Sequence, residues 1–336
     1  MTVNIGVIGY GYWGPNLVRN FAELPGARLA AVSDLRPERL ALVKNRYPAV
    51  ETFTDYHALL NDPHIDAIAI STPAATHFEL TMQALQAGKH VLVEKPLSTS
   101  ADLAARLIDE AARCQRVLMV DHTFVYTGAV RKMHDLIADG TLGSLYYYDA
   151  ARVNLGLFQH DVNVIWDLAV HDLSIIDYLF AEKPRAVSAT GISHIAGQPE
   201  NVAYLTLFFD STLIAHINVN WLAPVKVRRT LIGGSQKMIV YDDLEPSEKI
   251  KLYDKGIITQ NDSESIYQML ISYRTGDMLA PQLDMTEGLR TEALHFVRCI
   301  THGEQPITGG EAGLRVVRVM EAATRSLADK GCMVTL

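Results

Sequence analysis

Short apolar runs alternate with segments of helical repeat through the first third of the chain. Val3-Asn4-Ile5-Gly6-Val7-Ile8 is the first run, and its Val and Ile content fits a strand buried on both faces. Leu17, Val18, Phe21 and Leu24 then recur at helical spacing. Leu29-Ala30-Ala31-Val32-Ser33 predicts a second strand, followed by a helix from Pro37 towards Arg46 and a short helix over 55–60. Asp66-Ala67-Ile68-Ala69-Ile70 is another strand, stopped by Ser71-Thr72-Pro73. A helix over 76–87 closes at Gly88, a C-cap residue. Val91-Leu92-Val93 ends at Glu94-Lys95-Pro96, Ser100 caps a helix to about residue 114, and Val117-Leu118-Met119-Val120 follows as a strand. Alternation of this kind predicts an α/β domain over 1–120 with a doubly wound parallel sheet, whose ligands lie beyond the carboxyl ends of the strands.

The rhythm changes near residue 121. A helix over 128–138 precedes runs whose side chains alternate between two faces: 144–152, 185–193, 202–209, 213–221, 227–232, 237–241 and 249–253. A helix over 165–179 interrupts them. This predicts an α+β domain over 121–336 with a largely antiparallel open sheet. Residues 255–285 have little periodicity and read as a long surface loop. Helices over 287–302 and 310–329 close the chain, with Gly303, Pro306, Gly309 and Gly310 marking the turn. The outer face of the open sheet needs cover. Tyr204, Leu205, Ile217 and Trp221 would suit a partner subunit, so a dimer or tetramer is expected.

With 336 residues the length fits two domains. A formal net charge of −8 without a long basic run argues against nucleic acid or an anionic membrane as partner. Cys114, Cys299 and Cys332 are far apart and read as reduced thiols of a cytoplasmic protein. The first strand starts at about residue 3, which leaves no room for a signal peptide, and no apolar run reaches the ~20 residues of a membrane span. No His, Asp or Glu spacing suggests a metal site.

Gly9, Gly11 and Gly14, with Tyr12 and Trp13 between them, form G-x-G-x-x-G between a strand and a helix, with Pro15 in the helix's first turn. Gly9 allows the tight turn, Gly11 lets backbone approach a pyrophosphate, and Gly14 lets helix and strand pack closely. Asp34 ends the next strand, 34 − 14 = 20 residues past the last glycine. A carboxylate there binds both ribose hydroxyls and repels a 2′-phosphate, which favours NAD(H) over NADP(H). Arg36 and Arg39 lie just beyond and could soften that preference.

Lys95 follows a strand on the ligand side of the sheet, and its ammonium could stabilise charge developing on a substrate oxygen. Glu94 could fix cofactor or lysine. A surface strand end with a chance ion pair remains equally open. Asp167 and His171 are four apart on a helix, where carboxylate and imidazole can act together. An amphipathic helix with a satisfied histidine is the competing reading. Asp172 points to another face and reads as structural. Arg152, Asn154, Gln159, His160 and Asn163 cluster before Trp166 and could read sugar hydroxyls and a phosphate, or form a solvated loop.

The glycine turn 9–14, Asp34, Thr72-Pro73 with His77, Glu94-Lys95-Pro96, and Asp167…His171 in this order resemble the Gfo/Idh/MocA oxidoreductases over nearly the whole chain. The resemblance implies bound NAD(H) or NADP(H) and hydride exchange at a carbon bearing a hydroxyl, usually on a sugar or cyclitol. It implies that Lys95 serves substrate binding and proton transfer, that Asp167 positions substrate, and that His171 is the acid/base. It also places Thr72, Pro73 and His77 beside the cofactor. Many relatives approach the aspartate through glycines, whereas Trp166 precedes it here, which suggests a differently shaped pocket. The stretches around Arg152, Asn154, Asn163 and Trp166, and the last two helices, are similar to members that oxidise nucleotide-linked amino sugars at C3. A UDP-sugar 3-dehydrogenase is therefore expected, with Arg228, Arg229, Arg290 and Arg315 as candidates for the diphosphate. A dehydrogenase of a free sugar, sugar phosphate or inositol is the alternative. A non-catalytic NAD(H)-sensing protein would use the same cofactor site but leave the Lys95/His171 pair without a purpose.

Overall fold

The computed structural model describes residues 2–156, 162–259 and 271–336. Its first sheet contains β1 (Val3–Ile8), β2 (Ala27–Ser33), β3 (Glu51–Phe53), β4 (Ala67–Ile70), β5 (His90–Glu94) and β6 (Leu118–Asp121). All pairings are parallel, in the order β3-β2-β1-β4-β5-β6. Every residue of β4 and β6 is buried, which is why those segments read as unbroken apolar runs. The helices α1 (Gly14–Glu23), α2 (Pro37–Arg46), α3 (His57–Asn61), α4 (His77–Gln86) and α5 (Ala101–Cys114) connect the strands. Ser100 caps α5 by accepting a bond from the Leu103 N–H at 3.3 Å. The strand order reverses between β1 and β4, and a cleft at such a point is where doubly wound sheets bind ligands.

By its contacts the chain divides into two units, Met1–Thr127 with Met285–Arg318, and Gly128–Asp284 with Val319–Leu336. The helix α8 (Gly288–His302) therefore belongs with the parallel sheet rather than following a single cut at residue 120. It buries Leu289, Ala293 and Phe296, and Arg19 of α1 is bound to Glu287 at 2.6 Å just before it. A helix returning from so far along the chain leaves no local signal of its destination.

The second unit holds α6 (Gly128–Ala138), α7 (Val170–Leu179) and a nine-stranded sheet. Its strands are β7 (Leu145–Leu155), β8 (Ala186–Ile192), β9 (Val202–Phe208), β10 (Ile214–Asn220), β11 (Leu222–Gly234), β12 (Met238–Asp242), β13 (Ile250–Thr259), β14 (Ile271–Leu279) and β15 (Val334–Thr335). The order is β14-β13-β12-β11-β7-β10-β9-β8-β15, and β7 and β10 pair in parallel while the other neighbours are antiparallel. Two expectations need correction. The period of two puts adjacent residues on opposite faces, so Tyr204 is 43% exposed while Leu205, Ile217 and Trp221 are buried on the inner side. Of the four proposed partner-facing residues only Tyr204 lies on the open face. Residues 255–285 are not one long loop, because β13 and β14 pair there. Charged members such as Asp254 and Arg274, bonded at 2.9 Å, mask the alternation in sequence.

His90 opens β5, and its Nδ1 accepts a bond from the Val117 N–H at 3.0 Å. Burial, and then the Arg116 guanidinium, lower its pKa from 6.5 to about 4. A histidine depressed in the fold contributes stability that is present above 6.5 and is lost as pH falls towards 4. Thermal unfolding followed across that window will show an acid loss that His90→Asn, which keeps an acceptor for Val117, reduces. An unchanged pH profile in the variant refutes the assignment.

Candidate active site

After β1 the chain turns through Gly9, Gly11 and Gly14 into α1. Gly9 has φ +98°, and a Cβ there would stand 2.3 Å from the Ser71 carbonyl oxygen. A Cβ on Gly14 would stand 2.3 Å from the Gly9 carbonyl oxygen. Protein backbone thus occupies the space that these two glycines free. Gly11 differs, because the nearest atom to its Cβ position is Arg36 Nη2 at 3.8 Å. Its bare backbone faces a cavity of about 830 Å³, which Trp13, Asp34, Thr72, Pro73, Glu94 and Lys95 also line. Tyr12 lines it too and is 89% exposed.

Asp34 is buried at the end of β2 and accepts a bond from the Tyr10 N–H at 2.8 Å. Arg36 closes over it, its backbone N–H at 2.9 Å, Nε at 3.1 Å and Nη2 at 3.2 Å from the carboxylate oxygens. Burial pushes this carboxyl up, but Arg36 and the backbone donors outweigh it and hold the pKa below the ordinary value. A bare glycine backbone, the start of a helix and a ribose-reading acid around one cavity fit a dinucleotide.

Glu94 and Lys95 are half-buried at the mouth of β5, and the bond from Lys95 to Pro96 is cis. Glu94 Oε2 accepts a bond from the Lys95 N–H at 3.0 Å. Glu94 pairs in register with Asp121 at the end of β6. Asp121 is buried and accepts bonds from Trp13 Nε1 at 2.9 Å and from the Thr123 hydroxyl. Glu292 of α8, fully buried, accepts a bond from the His122 N–H at 3.0 Å. Burial, and then the neighbouring Asp121, push Glu94 and Glu292 well above the usual carboxylate range. His77, expected beside the cofactor, does not line the cavity. It is buried, with Nδ1 at 2.7 Å from the Pro96 carbonyl oxygen and Nε2 at 2.9 Å from that of Thr72. It braces the two turns that do line it.

In the second unit a π turn, Ile165–Ala169, runs into α7. It keeps Asp167 and His171 about one turn apart, and such wide turns recur at functional sites. Both side chains are half-buried. Asp167 Oδ2 accepts a bond from Trp221 Nε1 at 3.1 Å, and Trp221 is buried. Three expected substrate ligands have partners within the chain. Arg152 is buried against Asp172, with Nε at 2.7 Å and Nη2 at 3.1 Å from its carboxylate. Asn163 is buried before the helix, where Oδ1 accepts from the Ile165 and Trp166 N–H groups and Nδ2 donates to Glu200. The Trp166 indole donates to the Thr324 hydroxyl at 3.0 Å. Asn154 is half-buried near the end of β7. Gln159 and His160 lie outside the described residues.

Residues 3–122 match the model of the oxidoreductase family's NAD-binding Rossmann fold, and residues 134–336 match that of its C-terminal alpha/beta domain. The chain belongs to the GFO/IDH/MocA oxidoreductase family. This oxidoreductase is 26% identical over 339 residues to the myo-inositol 2-dehydrogenase of Thermotoga maritima, with 98% of this chain and 97% of that one covered. It is 27% identical over 319 residues to the UDP-N-acetylglucosamine 3-dehydrogenase of Acidithiobacillus ferrooxidans, with 93% of each covered. The solved structure of an enzyme of that name and organism matches with a TM-score of 0.82 at 24% identity over 98% of this chain and 99% of that one. A further match is an enzyme of gentamicin A biosynthesis solved in complex with NAD, with a TM-score of 0.83 and 23% identity over 100% and 96% of the two chains. At these identities the structural matches speak for the fold.

Three residues of this oxidoreductase escaped sequence reasoning. Asp121 sits at the ligand end of a strand, but the apolar run ends one residue earlier and gives it no sign. Glu292 left a usable signal, since it falls among Leu289, Ala293 and Phe296 on the buried stripe of an amphipathic helix. Trp221 was read as a partner-facing aromatic, and its bond to Asp167 has no local sequence sign.

Proposed function

We propose that this oxidoreductase uses NAD(H) to exchange hydride at a secondary alcohol of a sugar, and that the sugar is nucleotide-linked, of the UDP-N-acetylglucosamine type, oxidised at C3. The observation that carries the substrate class is the likeness, along 93% of both chains, to the Acidithiobacillus 3-dehydrogenase. The nearly full-length likeness to an inositol dehydrogenase supports a cyclitol as the second reading.

Bound nicotinamide supplies the hydride chemistry. In this reading His171 takes the hydroxyl proton as the carbonyl forms, and the Lys95 ammonium holds the developing charge on oxygen. Asp167, steadied by Trp221, orients a neighbouring hydroxyl. Gly11 and the start of α1 hold the pyrophosphate, and Asp34 holds the adenosine ribose. Arg152, paired with Asp172, is not assigned to substrate. Arg229, Arg290 and Arg315 stay candidates for a diphosphate together with Arg228, which is bonded to Asp243 at 3.1 Å.

Growth of NADH absorbance with UDP-N-acetylglucosamine, set beside free sugars, sugar phosphates and myo-inositol, tests the reading. UDP that does not bind saturably in the presence of NAD, together with turnover of myo-inositol, moves the assignment to cyclitols. No turnover of any member of the panel favours an NAD(H) sensor.

Asp34 sets the cofactor choice in this proposal. Asp34→Ser removes the carboxylate and frees Arg36 to meet a 2′-phosphate, so the ratio of NAD to NADP affinity falls about tenfold or more. An unchanged ratio assigns discrimination elsewhere. We also propose that two copies associate through the open face carrying Tyr204. Light scattering on the purified chain decides this, and a monomer at working concentration refutes it.

A further inference from the structure

The bond between Trp13 and Asp121 deepens the cofactor half of the reading above and rests on it. Trp13 stands in the glycine turn after β1, Asp121 ends β6, and β4 and β5 lie between those strands in the sheet. The indole reaches past two strand ends to an acceptor 2.9 Å from Nε1. Asp121 is also well occupied. A carboxylate offers about four lone-pair positions. Trp13 donates to one oxygen and Thr123 to the other, and Glu94 stands beside Asp121 in strand register. Glu94 in turn accepts the Lys95 N–H. One side chain therefore ties the glycine turn to the end of β6, beside the strand end that carries the lysine, and Glu292 of α8 accepts the N–H of the next residue, His122. Burying the carboxyl groups of Asp121 and Glu292 so close to Glu94 is costly, and packing alone would be served as well by apolar or amide side chains.

We propose that Asp121 is a positioning residue for the cofactor: through Trp13 it fixes the glycine turn from the nicotinamide side, next to the strand end bearing Lys95. It touches no reacting atom. Asp34, at the end of β2 on the other side of β1, holds the adenosine half independently. The two ends of the dinucleotide thus depend on different acids, and loss of Asp121 weakens one end and spares the other.

Calorimetric titration of the full chain with NAD⁺ and with AMP tests this, in the parent, Trp13→Phe, Asp121→Asn and the double variant. Each single variant is expected to weaken NAD⁺ about tenfold, or about 1.4 kcal/mol, and to leave AMP within about twofold. The double variant binds NAD⁺ no more than about twofold more weakly than the worse single one, because both substitutions act on the same bond, Trp13→Phe by removing its donor and Asp121→Asn by removing the charge of its acceptor. Unchanged NAD⁺ affinity in Trp13→Phe, AMP affinity falling in step with NAD⁺, or losses that multiply in the double variant each overturn the proposal. If Asp121→Asn does not fold, Trp13→Phe, which alters one half-buried side chain, decides through the same ratio of NAD⁺ to AMP affinity. No sugar enters the titration, so its outcome is separate from the success or failure of the proposed substrate.

Discussion

Lys95→Ala and His171→Ala each lower turnover at least ~100-fold, the usual scale for loss of acid–base or charge stabilisation, while NAD remains bound. Lys95 leaves the end of β5, where it lines the cavity and its backbone N–H is fixed by Glu94. Removing its ammonium takes away the group proposed to hold charge on the substrate oxygen, but leaves Gly11 and Asp34 to bind the dinucleotide. His171 is not among the residues lining the cofactor cavity, so NAD binding is expected to survive its loss. Single-turnover NADH formation measures the chemical step, and calorimetry measures NAD binding separately. The His171 variant should also lose the limb of the pH–rate profile that reports proton removal. Near-normal turnover in both variants would dismiss the assignment, and loss of NAD binding in step with turnover would reduce both residues to supports.

Gly14→Ala and Gly11→Ala part company. A methyl group on Gly14 would meet the Gly9 carbonyl oxygen at 2.3 Å, a backbone atom that cannot rotate away. Overpacking against backbone costs about 3 kcal/mol at the upper end of the common range, enough to lower the unfolding temperature by several degrees. A methyl group on Gly11 meets only the flexible end of Arg36 at 3.8 Å, so the fold tolerates it. That methyl group stands where a pyrophosphate must approach the backbone, and NAD affinity falls about a hundredfold or more. Calorimetric unfolding and NAD titration of the two variants make the comparison. Equal effects of both on stability would show that the open space at Gly11 is not a ligand's space.

The parallel sheet was legible because its signals are short-range. Apolar runs, the glycine turn and an acid 20 residues later are each readable within a few dozen residues. The order β3-β2-β1-β4-β5-β6 then follows from ordinary winding. The second unit was legible in its strands but not in their faces, since a list of apolar residues such as Tyr204, Leu205, Ile217 and Trp221 ignores the period of two. Charged residues hid the edge strand β14 and the end of β13, of which only 249–253 shows the alternation. Polar side chains posed the hardest problem. Arg152 and Asn163 looked like ligands because sequence shows their chemistry but not Asp172, Glu200 or the helix N–H groups that use it. Asp121 and Glu292 were missed for the converse reason: their importance lies in contacts spanning 108 and 170 positions.

The nucleotide-binding half is assembled from Met1–Thr127 and Met285–Arg318, and α8 supplies both its buried Phe296 and the carboxylate that holds the His122 N–H. A ribosome making this chain therefore releases most of that half long before its last structural member exists. Until the final fifty or so residues emerge, the apolar surfaces of α1 and β6 have no cover and are ready for a chaperone. A fragment stopped at Thr127 is expected to collect in inclusion bodies, and the same fragment mixed with a peptide spanning 285–318 to gain solubility, as a sedimentation assay will show.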